Sequence, residues 1–485
     1  MNPFKQRVAA VRLPDITWGA LLLLGALAIG LAAGAPGVRG VAFVVVAVVA
    51  AIALVALLVW KTELAVPLML VAASFDVGGR VISEPFPLTV YQGVLLVGLA
   101  SWALRLLWGD ATVRPRLTLI DGGMLLLLAA ALWSLPFSLD PRDTVVALVR
   151  LVFIYLFYLM CSTFLRQRWV AEASTATLVG AGVFHALIAL AQTSGVAIGN
   201  ISVYVGGPTS DLRAAAFFDD PNYLAMMLAA AAIAAAIRVV HARSIAQALP
   251  WLAAAALCAL GVYVTYSRTG LVGLAVGLIV IWLLAPTGRK RWVFLAGAIL
   301  VLGLLATDTQ AVLGRFGALL DLESEQSAAT RYYMLSSTIE IIKDYWIMGT
   351  GLSAFDVAYP AYRIAGSSFS VIKPHQLPLA LWAEMGIAGL LAEIVLTTAV
   401  IRATWRSIRR PRGSDGIVMQ GIEAFVHAGD RLSHAQKAGL AIMASFAIGS
   451  LFQYYLYVEY LWFGVALFAG SSIAERTSSL EVRHV

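Results

Sequence analysis

Residues 144–165 read TVVALVRLVFIYLFYLMCSTFL, a continuous apolar run in which Arg150 is the only charged side chain. Roughly 20 consecutive apolar residues are what an α-helix needs to cross the hydrocarbon layer of a bilayer. This stretch therefore predicts a helix that spans a membrane.

Windows of the same kind recur along the chain. The clearest others are residues 16–34, 41–60, 88–108 and 169–193, followed by 222–240, 247–267, 270–285, 292–306 and 376–401. Weaker windows at 62–74, 122–138, 438–454 and 458–473 are either spans or re-entrant segments. We therefore expect an all-α, polytopic integral membrane protein with about 12–14 transmembrane helices.

The composition excludes a soluble protein. Of the 485 residues, 61% are hydrophobic and 13% are charged, and the mean hydropathy is +0.86. No soluble domain could expose so much apolar surface. Cys161 and Cys258 both lie in apolar windows, so neither a disulfide framework nor a cysteine metal site is implied. The window at 16–34 is too long for a cleaved signal, so we expect it to be a retained first span.

The basic residues predict the orientation, because Lys and Arg are retained on the cytoplasmic side of a membrane. With the N-terminus inside and every window counted as a span, the dense basic clusters all fall in cytoplasmic connections. They are Arg114 and Arg116, Arg166 and Arg168, Arg238 and Arg243, residues 289–291, and the arginines from Arg402 to Arg412. The net charge of +7 is therefore mostly a signal of topology.

The same alternation places the one long polar interruption, residues 307–375, in the periplasm of a Gram-negative cell. Loops of this length are usually functional or disordered. Apolar residues at helical spacing predict amphipathic helices lying on the membrane domain: Tyr332, Leu335, Ile339, Ile342 and Tyr345. We divide the chain into transmembrane helices with short periplasmic loops (1–306), a periplasmic loop subdomain (307–375), and C-terminal transmembrane helices with a cytoplasmic tail (376–485).

The predicted periplasmic side carries mainly single arginines at helix ends or in loops. They are Arg80, Arg142, Arg213, Arg268, Arg315, Arg331 and Arg363. Each could be an ordinary solvated charge, yet positive charge opposes this location, which calls for a second reason. A pyrophosphate at the outer bilayer surface would supply it, since a guanidinium donates paired hydrogen bonds to phosphate oxygens. Arg150 lies within an apolar window near its external end and is a candidate for the same site.

Several short motifs occur in a fixed order between residues 213 and 389. They are Arg213 through Phe217 to Pro221-Asn222; Tyr266-Ser267-Arg268-Thr269-Gly270; Arg331 to Lys343; Gly349-Thr350-Gly351-Leu352; and His375-Gln376-Leu377-Pro378-Leu379 followed by Glu384, Gly386 and Gly389. In this order and compartment the set resembles the O-antigen ligase and polymerase superfamily. The resemblance covers a little over a third of the chain, with Gln376 as one departure from the family pattern.

The resemblance implies a membrane glycosyltransferase that moves a polysaccharide, the O-antigen, from undecaprenyl pyrophosphate to an acceptor hydroxyl on lipid A-core. It implies an inverting, metal-independent transfer without a cofactor, at an inner-membrane site that faces the periplasm. The expected partners are the undecaprenyl-pyrophosphate-linked glycan donor, a lipid A-core or other glycan acceptor, and membrane lipids, with no nucleic acid. The expected site residues are His375 (catalytic), Arg268, Arg213, Arg150, Arg142 and Arg331 (donor pyrophosphate), and Tyr266, Ser267, Gln376 and Glu384 (supporting).

The residues permit this chemistry, because glycosyl transfer needs a base for the acceptor hydroxyl and fixed cations for the leaving pyrophosphate. His375 titrates near neutrality and stands where the loop meets a span, so it suits the first role, unless it merely caps a helix. Arg268 suits the second, with a snorkelling anchor as the alternative. Glu384, nine residues after His375, is expected to make a structural hydrogen bond. Asp219 and Asp220 fit a turn that opens a helix better than a metal site, and His185 is expected to be a packed, hydrogen-bonded core residue.

Other functions remain open at this point. An O-antigen or exopolysaccharide polymerase would use the same donor with another lipid-linked glycan as acceptor, and a protein-glycosylating ligase is a further relative. A secondary transporter or lipid flippase would show paired internal repeats and charges near the bilayer midplane, and the sequence shows neither. A purely structural membrane protein would not need the external arginines.

Overall fold

The computed structural model describes residues 54–75, 80–82, 88–196, 204–205, 212–285, 326–364, 374–409 and 432–481. The predicted spans at 16–34 and 292–306 lie outside these residues, as does most of the window at 41–60.

The described residues are almost entirely helical. The helices are α1 (Leu54–Trp60), α2 (Ala65–Ala73), α3 (Val90–Leu107), α4 (Leu119–Ser134), α5 (Pro141–Phe164), α6 (Arg168–Thr193), α7 (Pro221–His241), α8 (Ile245–Val264), α9 (Arg268–Leu284), α10 (Gln326–Tyr345), α11 (Phe355–Tyr362), α12 (Leu377–Ile408), α13 (His434–Gly449) and α14 (Glu459–Glu481). Short 3-10 turns cover Thr62–Leu64, Ala111–Val113 and Leu135–Phe137.

Two short antiparallel ribbons interrupt the helices, and the sequence pattern did not predict them. In one, β1 (Arg80–Ile82) pairs with β2 (Leu88–Thr89); in the other, β3 (Tyr204–Val205) pairs with β4 (Leu212–Arg213). Strands of two or three residues are too short to produce a recognisable alternation of apolar and polar residues. The second ribbon matters for the site, because it carries Arg213.

Seven described helices are long and apolar enough to cross a membrane, which confirms the all-α, polytopic membrane fold. They are α3, α4 with the 3-10 turn that follows it, α5, α6, α7, α8 and α12. The window at 122–138, expected to be weak, is one of them. The window at 62–74 instead forms part of a bent pair, because the chain bends by 119° between α1 and the segment Thr62–Ala73. The total of about 12–14 spans stays a prediction.

One end of the bundle, which we call the basic end, brings together four described arginines that were predicted to share the cytoplasmic side: Arg114, Arg166, Arg168 and Arg238. There Arg166 Nη2 donates to the Arg114 carbonyl at 2.7 Å, and Arg238 Nη2 donates to Thr175 Oγ1 at 3.0 Å. These described arginines, which belong to three of the predicted clusters, thus lie at one end of the molecule, as the predicted topology requires.

Helix α7 forms the centre of the bundle and contacts α6, α8, α9 and α13. It is buried on nearly every side, and its sequence is dominated by alanine. Neighbouring helices meet it through glycines: a Cβ on Gly270 would lie 2.5 Å from the Ala225 Cβ, and one on Gly182 would overlap the Ala231 Cβ. Small residues let helix backbones approach closely where lipid supplies no hydrophobic driving force for association.

The segment that contains α10 and α11 packs on the first turns of α12, as the predicted amphipathic helices should. Ile341 and Ile342 of α10 form an apolar cluster with Phe355 and Tyr359 of α11 and with Ala383 of α12. The buried stripe differs from the predicted one. Ile339 is 41% exposed, whereas Ile341 is fully buried. The side chain of Tyr332 lies outside the described residues.

The approach of α6 to α7 gives a stability test. Gly182→Ala places a methyl group against Ala231 and about 3.0 Å from the Cys258 Sγ, so we expect it to destabilise the protein by about 1–3 kcal/mol. Gly180→Ala is the matched control on the same helix, because no atom lies within 4 Å of its added Cβ. Thermal unfolding in detergent should show a lower Tm for Gly182→Ala and an unchanged or higher Tm for Gly180→Ala. Equal Tm values would contradict the close packing around α7.

Candidate active site

The turn between α8 and α9 has the polar break that the sequence predicted. Helix α8 ends at Val264, and Tyr266 takes a left-handed backbone conformation with φ of 53°. Ser267 then caps α9, its hydroxyl accepting a hydrogen bond from the Gly270 N–H at 3.1 Å. The positive φ reverses the chain within three residues, which places Arg268 in the first turn of α9.

Arg213 lies against this turn. Its Nε donates to the Thr265 carbonyl at 3.0 Å, and its Nη2 donates to Asn222 Oδ1 at 3.3 Å. Two fixed bonds on one planar guanidinium set the orientation of that plane. The ribbon strand β4 and the end of α8 are thereby joined to the start of α7.

Asn222 is the point where these segments converge. Its Oδ1 also accepts from the Ser267 hydroxyl at 2.7 Å, while its Nδ2 donates to Asp220 Oδ1 at 2.9 Å. The amide orientation is chemically determined, because a carboxylate can only accept and therefore faces the NH₂ group. Arg213 and Ser267 therefore share one acceptor at the N-terminal end of the central helix.

Asp220 extends the network toward His375. Its Oδ1 caps α7 by accepting from the Asn222 N–H at 2.7 Å, and its Oδ2 accepts from Gln453 Nε2 at 3.2 Å. Gln453 Oε1 then lies 2.7 Å from His375 Nδ1. A continuous chain of hydrogen bonds thus joins Arg213 to His375 through Asn222, Asp220 and Gln453.

This chain fixes the tautomer of His375. Because Asp220 takes the NH₂ group of Gln453, the Gln453 oxygen must face the histidine, and only an N–H at Nδ1 can satisfy that oxygen. A neutral His375 then carries its lone pair on Nε2. The arrangement can therefore support proton acceptance at Nε2 while Nδ1 stays held.

His375 directly precedes the start of α12, which is held to the end of α13 by a hydrogen bond from the Leu377 N–H to the Ser450 carbonyl at 3.0 Å. A cavity of about 20 Å³, room for roughly one water molecule, adjoins the imidazole. Its lining is mostly apolar and comes from α10, the start of α12 and the α13–α14 connection: Met334, Leu335, Thr338, Pro374, His375, Gln376, Leu379, Leu451 and Phe452. Gln376 occupies the N-cap position without a side-chain cap hydrogen bond.

The glycine motif of the long loop joins α12 through the backbone. The Thr350 N–H donates to the Ala383 carbonyl at 2.9 Å, and the Gly351 N–H donates to the Glu384 carbonyl at 2.8 Å. These carbonyls are available because α12 breaks at Gly386, where φ is 62° and ψ is −157°. This conformation is essentially restricted to glycine.

Glu384 makes a hydrogen bond within the bundle. Its side chain is fully buried, and its Oε2 accepts a hydrogen bond from the Tyr454 hydroxyl at 3.1 Å. Tyr454 is adjacent to Gln453, so this bond ties the broken region of α12 to the segment that orients His375.

Arg142 and Arg150 do not join this network by hydrogen bonds to the described residues. Arg142 and Arg150 are both exposed on α5, and Arg150 interacts electrostatically with Tyr457 of the α13–α14 connection. Arg331 lies on α10, and its side chain lies outside the described residues. Tyr266 contacts the ring of Tyr263 at 6.2 Å between centroids.

Three residues of the network were missed or given another role by sequence reasoning. Asp220 was read as part of a helix-opening turn, which is correct but describes only one of its two oxygens. Asn222 was part of a motif without an assigned contact. Gln453 had no sequence signal, because its partner His375 lies 78 positions away and the window that contains it reads as a weak span.

His185 is packed in the core as expected, but it differs from the prediction in its hydrogen bonding. It is fully buried and packs against Phe217 and Phe218, with ring centroids 5.6 Å away in each case. The expected hydrogen bond is wrong: within the described part of the chain neither ring nitrogen has a hydrogen-bond partner. Aromatic contacts replace it. In the same described residues, no three His, Cys, Asp or Glu side chains come together as a metal site would require.

Comparison with known families identifies the region that contains part of this site. Residues 253–394 match the family model described as O-antigen ligase. The match includes the α8–α9 turn, the glycine motif, His375 and Glu384, which confirms the resemblance seen in the sequence. No curated protein matched the chain.

The break in α12 gives a test of how the loop is held. Gly386→Ala forces a side chain into a glycine-only conformation, where its Cβ would overlap the Ile347 carbonyl. We expect a loss of about 1–3 kcal/mol and faster limited proteolysis within residues 326–364. Gly93→Ala on α3 has open space around its Cβ and serves as the control. If both variants are cleaved at the wild-type rate, the break does not hold the loop.

Proposed function

We propose that this chain, whose residues 253–394 belong to the O-antigen ligase superfamily, transfers a polysaccharide from undecaprenyl pyrophosphate to an acceptor hydroxyl on lipid A-core. The family indicates an O-antigen ligase- or polymerase-type membrane enzyme. The observation that supports the proposed donor and acceptor chemistry is the chain of hydrogen bonds from Arg213 to His375. It holds a group suited to phosphate and a group suited to act as a base in one network. Lys and Arg are retained on the cytoplasmic side of a membrane, so we assign the basic end to the cytoplasm. The site at the opposite end then faces the periplasm, and the protein lies in the inner membrane.

The donor pyrophosphate is assigned to the surface around Arg213 and Arg268. Arg213 is held in a fixed plane, and Arg268 stands in the first turn of α9, while α7 and α12 also begin in the same network. The N-terminal end of a helix carries partial positive charge and favours phosphate, so the starts of α9 and α12 act in the same sense as the two guanidinium groups. The start of α7 is already capped by the carboxylate of Asp220. Fixed cations can thereby take over the charge stabilisation that a metal supplies in other transferases.

Arg150, Arg142 and Arg331 are assigned to the outer part of the donor site. A charged side chain on a spanning helix must face water, protein or a ligand, because lipid does not solvate it. Arg150 is exposed on α5 and lies close enough to Tyr457 to affect it electrostatically. Tyr457 and Gln453 belong to the same connection between α13 and α14. The proximity of Arg150 to Tyr457 therefore supports its assignment to the edge of the donor site.

The reaction follows from these positions. The acceptor oxygen attacks the anomeric carbon, the bond from that carbon to the pyrophosphate oxygen breaks, and undecaprenyl pyrophosphate leaves with the electron pair. The acceptor proton passes to His375 Nε2, or stays oriented by it until the new bond forms. Attack opposite the leaving group inverts the anomeric configuration. Gln453 acts as a positioning residue, since it holds Nδ1–H and so keeps the lone pair at Nε2.

The arginine assignment predicts weaker donor binding. Arg213→Ala and Arg268→Ala each remove charge-assisted hydrogen bonds worth about 1.5–3 kcal/mol, so binding of an undecaprenyl-pyrophosphate glycan should weaken by roughly 10- to 100-fold. Lys at either position should restore only part of the affinity. Arg243→Ala, an exposed arginine at the basic end, is the control and should bind like the wild type. Wild-type affinity in both site variants would move the donor elsewhere.

The His375 assignment predicts slow transfer with the donor still bound. General-base catalysis contributes about 10²- to 10⁴-fold, so His375→Ala should transfer glycan at least about a hundredfold more slowly in an assay with purified donor and acceptor. Parallel assays with lipid A-core and with a second lipid-linked glycan distinguish ligase from polymerase. A His375→Ala enzyme with wild-type turnover would remove the catalytic assignment.

Gln453→Leu separates positioning from structure within the same assay. It should lower kcat by roughly tenfold and change the pH profile, while donor affinity stays at the wild-type value, because the imidazole is present but its tautomer is no longer held. An unchanged pH profile in Gln453→Leu would reduce the role of Gln453 to packing.

A further inference from the structure

A second cavity, larger than the one beside His375, lies at the basic end of the bundle, at the opposite end from His375. Its volume is about 330 Å³, and it is enclosed by the α5–α6 connection, the first turns of α6, the last turns of α7, the start of α13 and a residue of α14. Its charged and titratable lining residues are Arg166, Arg168, Glu172, Arg238 and His434. The proposed glycosyl transfer makes no use of it.

The described lining has more positive than negative charge. It holds three guanidinium groups and one carboxylate. Glu172 Oε1 is already engaged with Arg168 Nε at 2.8 Å. Arg238 reaches neutral acceptors instead, the Glu172 carbonyl at 3.1 Å and Thr175 Oγ1 at 3.0 Å. The carboxylate therefore compensates Arg168 and leaves Arg166 and Arg238 as excess cations of the lining.

Arg166 is the least favourable of these charges. It is partly buried, and its Nε and Nη2 donate to two backbone carbonyls, those of Thr163 and Arg114, both at 2.7 Å. Burial, together with repulsion from Arg116, lowers the pKa of Arg166 to about 10. A guanidinium that is removed from water beside a like charge is destabilised, and an anion in the cavity would reverse this.

A further cation stands behind the cavity wall. Lys437 of α13 is 3% exposed, and its Nζ lies 3.0 Å from His241 Nε2. The centroid of the His241 ring in turn lies 3.7 Å from the centroid of the His434 ring, and His434 lines the cavity. The positive charge therefore continues from the α5–α6 connection to the start of α13.

We propose that this cavity binds a phosphate ester, and that its surroundings favour the headgroup of an anionic phospholipid. A phosphate suits the positive charge of Arg166 and Arg238 and their Nη1 groups, which donate to no acceptor among the described residues, because guanidinium groups form charge-assisted hydrogen bonds with phosphate oxygens. The remaining lining is largely apolar, with Leu165 and Ile237 among its residues, as acyl chains would require. Trp169, 44% exposed beside Arg168, is the residue type that marks headgroup depth in membrane proteins.

A bound headgroup would tie together segments that are distant in sequence. Arg166 and Arg168 belong to the α5–α6 connection, Arg238 to the end of α7, and His434 to the start of α13. Helix α13 leads to Gln453 at the opposite end, so the lipid stabilises the helices on which the His375 network stands. The inference does not depend on the proposed transfer reaction.

The experiment is a lipid titration on the full-length protein, purified in detergent and washed free of lipid. Phosphatidylglycerol should raise the Tm, whereas phosphatidylcholine should not. In the double variant Arg166→Gln/Arg238→Gln, the phosphatidylglycerol concentration for half of the shift should rise by at least roughly tenfold. Arg243→Gln, at the same end but outside the cavity, is the matched control and should behave like the wild type.

Arg168→Gln keeps the test decisive if the double variant does not fold. The Arg168 side chain is 90% exposed, so its replacement should be tolerated, and a loss of roughly threefold in lipid affinity is expected. Titration with inorganic phosphate separates the two sources of the ligand: a shift with phosphate but none with lipid keeps the phosphate site and assigns it to a soluble ligand. Wild-type responses in both site variants, or equal shifts with both lipids, would overturn the proposal.

Discussion

The carboxylate of Asp220 is the group on which the rest of the site depends. One oxygen caps the central helix α7 and fixes the amide of Asn222, and the other fixes the amide of Gln453. Because a carboxylate only accepts hydrogen bonds, it orients both amides in one sense, with their oxygens turned outward to Arg213 and His375. A single acceptor thus sets the direction of donors and acceptors across the whole network.

The position of that carboxylate follows from packing in the membrane. Helix α7 is surrounded by helices that approach it through glycines, so its N-terminus is fixed relative to the start of α9. The start of α12 is held by the hydrogen bond from the Leu377 N–H to Ser450, at the end of α13, which also packs on α7. A rigid bundle is a suitable support for catalysis, since small displacements of reacting groups greatly reduce rates. The broken helix α12 adds to this. Its carbonyls at Ala383 and Glu384 are satisfied by the glycine motif, which fastens the loop segment beside His375.

The sequence predicted what depends on local patterns and missed what depends on distant contacts. Apolar windows located the spanning helices because a bilayer imposes a minimum length on each of them. The turn at residues 266–270 was visible for a similar reason, since a short polar segment between two apolar windows must be a turn. The ribbon that carries Arg213 escaped because its strands have two residues each. Gln453 escaped because no local rule links it to His375 across the chain.

The same distinction explains why arginines were easier to find than their roles. Single arginines on the predicted periplasmic side are unusual enough to be noticed, yet Arg213 is held by two hydrogen bonds whereas Arg142 is simply exposed. A guanidinium can bind pyrophosphate with geometric selectivity only if its plane is fixed before the ligand arrives, because otherwise ordering the long side chain opposes binding. By that criterion Arg213 is the anchor of the proposed donor site. Arg150, exposed on α5, would contribute chiefly charge. On the proposed function, selectivity for a pyrophosphate over other anions would have its origin in the backbone carbonyl of Thr265 and the amide of Asn222, which are neutral groups that no search for charged motifs would select.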